Sequence, residues 1–193
     1  MKAARRAGTL LLFAAITACT TPPPLRDLDG SPVHPLAVPP GTVHVIVFTS
    51  HECPIANAYA PTLRELAAAW RDLPVQLFLV HVDPELTTAA ARRHAADFEL
   101  PGTILCDGSQ RLARRLGVTR TPEAVVLAAG GMTYRGRIDD QWRALGARAT
   151  TASTHDLAVA VAVTLAGGVP ASPFPEAVGC LLPEPAPPPD EHR

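Results

Sequence analysis

The spacing of hydrophobic and polar positions changes repeatedly between residues 25 and 168. "TVHVIVFTS" (42–50) is a β-branched run dense enough to predict a strand buried in the middle of a sheet. From Pro54 to Arg71, Tyr59, Leu63, Leu66 and Trp70 recur at three- and four-residue steps. That spacing predicts a helix with one buried face, kinked or locally broken at Pro61. "VQLFLVHVD" (75–83) predicts a second buried strand, and "PELTTAAARRHAADFEL" (84–100) an alanine-rich helix with Arg92 and Arg93 on its wet side. "GTILCD" (102–107) reads as a short strand and "SQRLARRLG" (109–117) as a helix ended by Gly117, since glycine caps helix C-termini without a Cβ penalty. "PEAVVLAAGGMTYRGRID" (122–139) predicts a hairpin whose strands flank Gly130 and Gly131. "THDLAVAVAVTLAG" (154–167) predicts a last helix capped by Thr154. Upstream, "LRDLDGSPVHPLAV" (25–38) predicts a small hairpin around Asp29 and Gly30. Strands alternating with helices and ending in an antiparallel hairpin argue for an α/β sandwich with a mixed central sheet.

The termini follow other rules. "MKAARRAGTLLLFAAITAC" opens with Lys2, Arg5 and Arg6, then an apolar run and small residues, the layout of an export signal. The run is short against the ~20 residues of a membrane span. Its end, Ile16, Thr17, Ala18 and Cys19, resembles the lipobox of bacterial lipoproteins. That resemblance implies removal of residues 1–18, diacylation of Cys19, and a protein tethered to the cell envelope facing the periplasm; Thr20 after the cysteine points to the outer membrane. The expected division is a signal at 1–18, a Pro-rich tether at 19–24, the α/β domain at 25–168, a segment packing back on it at 169–182, and a disordered Pro-rich tail at 183–193.

Composition narrows the function. A hydrophobic content of 47% supports a packed body, and a formal net charge of −1 from 17 basic and 18 acidic side chains provides no field to attract nucleic acid. Export places the domain where disulfides persist. With Cys19 used as the anchor, Cys53, Cys106 and Cys180 remain, an odd number that leaves at least one thiol free or paired with a partner. Cys53 sits directly before Pro54 at a strand-to-helix junction. Unpaired N–H groups at a helix start favour a thiolate, the reactive form. His51 is expected to assist ionisation there and Glu52 to oppose it. Cys106, ending a strand, reads as an inert core thiol. Most histidines, His34, His44, His94, His155 and His192, read as surface or packing residues. His81, next to Asp83 at a strand end, is of more interest.

Three features carry a resemblance to the thioredoxin-fold redoxins, the group of peroxiredoxins and membrane-tethered thiol–disulfide oxidoreductases. They are Cys53-Pro54 after the strand, Thr121-Pro122 before the hairpin, and "YRGRID" (134–139). The resemblance covers roughly residues 25–168 and implies a thioredoxin-like three-layer sandwich. It also implies a cis Pro122 facing Cys53, and Thr121 and Pro122 lining a substrate groove. Ala56 stands where a C-x-x-C pair has its second cysteine. Of the peroxiredoxin P-x-x-x-T/S-x-x-C pattern, Ser50 keeps the hydroxyl position, where it is expected to help hold substrate or bond the thiolate, and Ile46 replaces the proline. The resulting expectation is an envelope-tethered oxidoreductase without cofactor, in which Cys53 attacks a protein disulfide or a peroxide and Cys180, brought back by the apolar run around Val178 to Leu182, resolves the intermediate. The alternative is a non-catalytic module binding copper or protein, suggested by the His51/Cys53 pair. Copper-delivery proteins of this fold carry a further cysteine where this chain has Thr49.

Overall fold

A computed structural model of the protein describes residues 24–183; the expected export signal, the expected lipidation site Cys19 and the residues beyond Pro183 lie outside the described residues. The chain begins with two short paired strands, β1 (Leu25–Arg26) and β2 (Pro32–Val33), joined by a turn in which the Asp27 carboxylate accepts from the Asp29 and Ser31 amides and Gly30 has φ +83°. Then follow β3 (Val43–Thr49), α1 (Pro54–Ala58), α2 (Ala60–Ala69), β4 (Val75–His81), α3 (Thr88–Asp97), β5 (Thr103–Cys106) and α4 (Arg111–Arg115). The second half holds β6 (Arg120–Thr121), β7 (Glu123–Ala128), β8 (Gly131–Gly136), β9 (Trp142–Ala144), β10 (Ala147–Arg148), α5 (Asp156–Leu165) and β11 (Cys180–Leu181).

The central sheet has the order β5-β4-β3-β7-β8, with β3, β4 and β5 parallel and β7 and β8 antiparallel additions. β3 is its middle strand and every residue of it is buried. Its pleat sends Val43, Val45 and Val47 into one core, with α1, α2 and α5, and Ile46 and Phe48 into the other, with Leu112 and Ala113 of α4. Two helical layers on a mixed sheet are the expected three-layer sandwich.

The helix predicted for 54–71 breaks at Tyr59, which ends α1 and begins α2. Pro61 is the cause: it has no N–H and its ring collides with the carbonyl four residues back, so it is tolerated only in the first turn of a new helix. Gly117 ends α4 with φ +70°, as expected. The expected Thr154 cap is not formed. His155 takes the N-cap position of α5 without a side-chain bond, and the Thr154 hydroxyl instead donates to the Asp156 carboxylate, which also holds Arg137. The β9–β10 hairpin has no counterpart in the sequence reading; its strands are exposed except for Trp142 and carry no alternation to read. Beyond α5, residues 174–183 fold back on the domain, and β11 pairs antiparallel with β6 in a separate two-stranded sheet.

Candidate active site

Cys53 is the N-cap of α1. Its backbone is extended (φ −84°, ψ 108°), and its sulfur accepts from the Ala56 amide at 3.5 Å, taking the place usually filled by a serine or aspartate oxygen. The Cys53 amide donates to the Ser50 carbonyl, which closes the turn between β3 and the helix. The residue is 2% exposed. Its sulfur lies 3.1 Å from the Thr121 carbonyl oxygen and 2.7 Å from the Cys180 sulfur. The Thr121–Pro122 peptide is cis, so the proline expected beside the cysteine is present with the expected isomer.

Cys180 reaches the site through backbone pairing. In β11 it lies opposite Thr121, and Leu181 lies opposite Arg120. The two thiols are electrostatically unequal. Burial works to raise the Cys53 pKa, but hydrogen bonding with the Cys180 thiol and from the Ala56 amide outweighs it, and the thiol is held below its ordinary value. Cys180, pushed up by burial and by the neighbouring Cys53, rises to about 11. Cys53 is therefore the more acidic thiol of the pair. Cys106 is half-buried rather than a core thiol, and burial with the field of Asp83 raises its pKa.

The turn before Cys53 is held from below by Asp83, just past β4. Parallel register pairs Thr49 with His81, and the Val82 amide donates to the Thr49 carbonyl, which brings Ser50 and His51 alongside Asp83. The Asp83 carboxylate accepts from the Ser50 hydroxyl at 2.5 Å and from the His51 amide at 3.2 Å; the Nδ1 atoms of His51 and His81 lie 3.3 and 3.5 Å from it. The expected bond from Ser50 to the cysteine sulfur is thus not made. The hydroxyl proton goes to Asp83, a charged acceptor and hence the stronger partner, and Ser50 shapes the turn. Asn57 completes the frame by donating to the His51 carbonyl and pairing with His94 Nε2 at 2.8 Å. His94, read from sequence as a packing residue, faces His81 with ring centroids 5.0 Å apart. Burial, with repulsion from His81 and His51, lowers its pKa to about 4, so it stays neutral at pH 7. Glu52 is exposed, 3.9 Å from His51 Nε2. Among the described residues no group of three or more His, Cys, Asp or Glu side chains is arranged to hold a metal ion.

Burial would raise the Asp83 pKa, but bonds from His81, Ser50 and His51 prevail and bring it to about 2, against 3.8 for a free side chain. A depressed carboxylate contributes stability that is present above the unfolded pKa and lost as pH falls through the folded one. Asp83→Asn is therefore expected to cost about 2 kcal/mol at pH 7, with the gap narrowing between pH 4 and pH 2. Urea unfolding of both proteins at pH 7 and pH 3 checks this; an equal gap at both values would refute it.

A family model for Redoxin matches residues 13–145. No curated protein matches the chain. Among solved structures, an uncharacterized conserved protein from Geobacillus kaustophilus superposes with a TM-score of 0.71 at 22% identity, covering 83% of this chain and 88% of that one. A hypothetical protein from Sinorhizobium meliloti 1021 follows at 0.68 and 20%, covering 82% and 88%. A secreted Mycobacterium tuberculosis disulfide oxidoreductase homologous to E. coli DsbE has a TM-score of 0.53 at 25% identity, covering 72% of this chain and 93% of that one.

Proposed function

This chain belongs to the Redoxin family, and from that premise we propose that it is a thiol–disulfide oxidoreductase in which Cys53 attacks and Cys180 resolves. The observation that carries the reading is the contact of the two sulfurs, 2.7 Å apart, with Cys53 the more acidic. The Cys53 thiolate attacks one sulfur of a substrate disulfide R–S–S–R′, forming Cys53–S–S–R and releasing R′–S⁻. Cys180 then gives up its proton and attacks the Cys53 sulfur; the bond to R breaks, R leaves as a thiolate that takes up the proton, and a Cys53–Cys180 disulfide remains. The substrate has gained two electrons, and an external dithiol returns the pair to its reduced state.

Two features favour a disulfide over a peroxide as oxidant. Ile46 occupies the proline position of the peroxidase pattern, and the Ser50 hydroxyl is committed to Asp83. The disulfide oxidoreductase from M. tuberculosis named above is secreted, which agrees with the export signal read here. Thr121 and Pro122 line the substrate approach, and Cys19 carries the lipid anchor on the periplasmic side of the cell envelope.

Trapping tests the assignment. In Cys180→Ser the first step is retained and the second lost, so a model disulfide should leave Cys53 as a stable mixed disulfide, whereas the wild type should show a Cys53–Cys180 crosslink by peptide mapping. A wild-type protein that keeps both thiols free while its Cys53 is modified would overturn the reading.

A further inference from the structure

Resting on the exchange reading above, we propose that Gly179 and Gln110 are positioning residues for the resolving step, holding residues 174–183 as a strap that delivers Cys180 to Cys53. The strap is fixed at both ends. At its start the Phe174 ring packs edge-on against Tyr134, with centroids 5.2 Å apart, and the Pro175 carbonyl accepts from the Arg137 amide at 3.1 Å. At its end the Leu182 amide donates to the Thr119 carbonyl at 3.1 Å, and the Pro183 carbonyl accepts from the Gln110 side chain at 2.6 Å. Pro183, placed by sequence at the head of a disordered tail, is part of this fixed end.

Gly179 fits where no side chain can. A Cβ there would collide with the Thr121 carbonyl oxygen, and would lie 2.6 Å from its carbon and 3.1 Å from the Pro122 nitrogen. All three are backbone atoms beside Cys53 and cannot swing aside. Any residue larger than glycine at 179 must therefore lift β11 from β6, and Cys180 is the next residue along.

Gln110 has an independent mark. Its φ is +54°, a left-handed conformation that L-residues rarely adopt, yet its side chain is 3% exposed. Such strain persists only where surroundings over-determine it. The amide supplies the reason: its two N–H groups donate to the Val82 carbonyl at 3.2 Å and to the Pro183 carbonyl. Val82 adjoins Asp83, which holds the Cys53 turn. Gln110 thus joins the frame of the attacking cysteine to the strap of the resolving one, and intramolecular attack depends steeply on such placement.

The experiment uses the full-length lipidated protein on a Cys106→Ser background, with 5,5′-dithiobis(2-nitrobenzoate) as the disulfide. Attack by Cys53 releases one thionitrobenzoate ion, and resolution by Cys180 releases the second, so the two steps appear as separate stopped-flow phases. In Gly179→Ala the second phase is expected to slow at least tenfold, and by more than any change in the first that follows from moving Cys180 off the Cys53 sulfur. Gln110→Asn tolerates the left-handed backbone but is one methylene too short to bridge both carbonyls, and it should slow the second phase in the same way. It also keeps the test open if Gly179→Ala fails to fold. A loss of structure alone would impair both phases together. Second phases within twofold of wild type in the folded variants overturn the positioning role alone; absence of a second phase in the wild type overturns the exchange reading beneath it as well.

Discussion

The oxidised protein is expected to resist unfolding by about 5 kcal/mol more than the reduced protein. The crosslink would join residues 127 positions apart, and in the chain-entropy account the loss of freedom in the unfolded chain grows with the logarithm of the closed loop, reaching about 5 kcal/mol for a loop of this length. The folded state gives up little in return, because β11 is already paired with β6 and the sulfurs already touch. Urea denaturation with and without a dithiol reductant measures the difference directly, and Cys180→Ser should abolish it. Coincident midpoints in wild-type samples whose crosslink has been mapped would show that the unfolded chain gains no restriction from the bond.

The second large effect is on where the protein resides. Lys2, Arg5 and Arg6, the apolar run and Ile16-Thr17-Ala18-Cys19 together resemble a lipoprotein signal, and acyl chains on Cys19 would provide the membrane affinity. A single chain of myristoyl length binds a bilayer only reversibly, with a constant of about 10⁴ M⁻¹, and a second chain makes the attachment stable. Among the described residues no helix is long and apolar enough to cross a membrane. Cys19→Ser is expected to lose the acyl mass and to move the protein from the membrane fraction. Wild-type protein recovered without lipid in the soluble fraction would refute the anchor while leaving the thiol chemistry intact.

Much of the site was legible before the fold was known. Cys53 before Pro54 at the end of an apolar run marks a strand-to-helix junction, and Thr121-Pro122 ahead of a hairpin marks its neighbour. The Asp83 frame was legible only in part. His81 and Asp83 drew notice as a pair, but nothing in the sequence connects them to Ser50 or His51, and Asn57, His94 and Gln110 carried no signal. His94 in an alanine-rich helix has the appearance of any half-buried residue, and a left-handed glutamine looks like any other glutamine.

The sequence by itself determined the order of elements, because hydrophobic period, proline and glycine act over a few residues and need no distant partner. It also placed Cys53 at a helix start, where the cysteine is found as the N-cap of α1. The tertiary structure decided what surrounds that cysteine. Thr49 against His81 in parallel register brings Asp83 beneath the turn, and the pairing of β11 with β6 sets Cys180 against Cys53. Those contacts depend on strand register and on a glycine small enough to admit close backbone approach, and neither can be read from spacing along the chain, since each is settled by how remote segments pack.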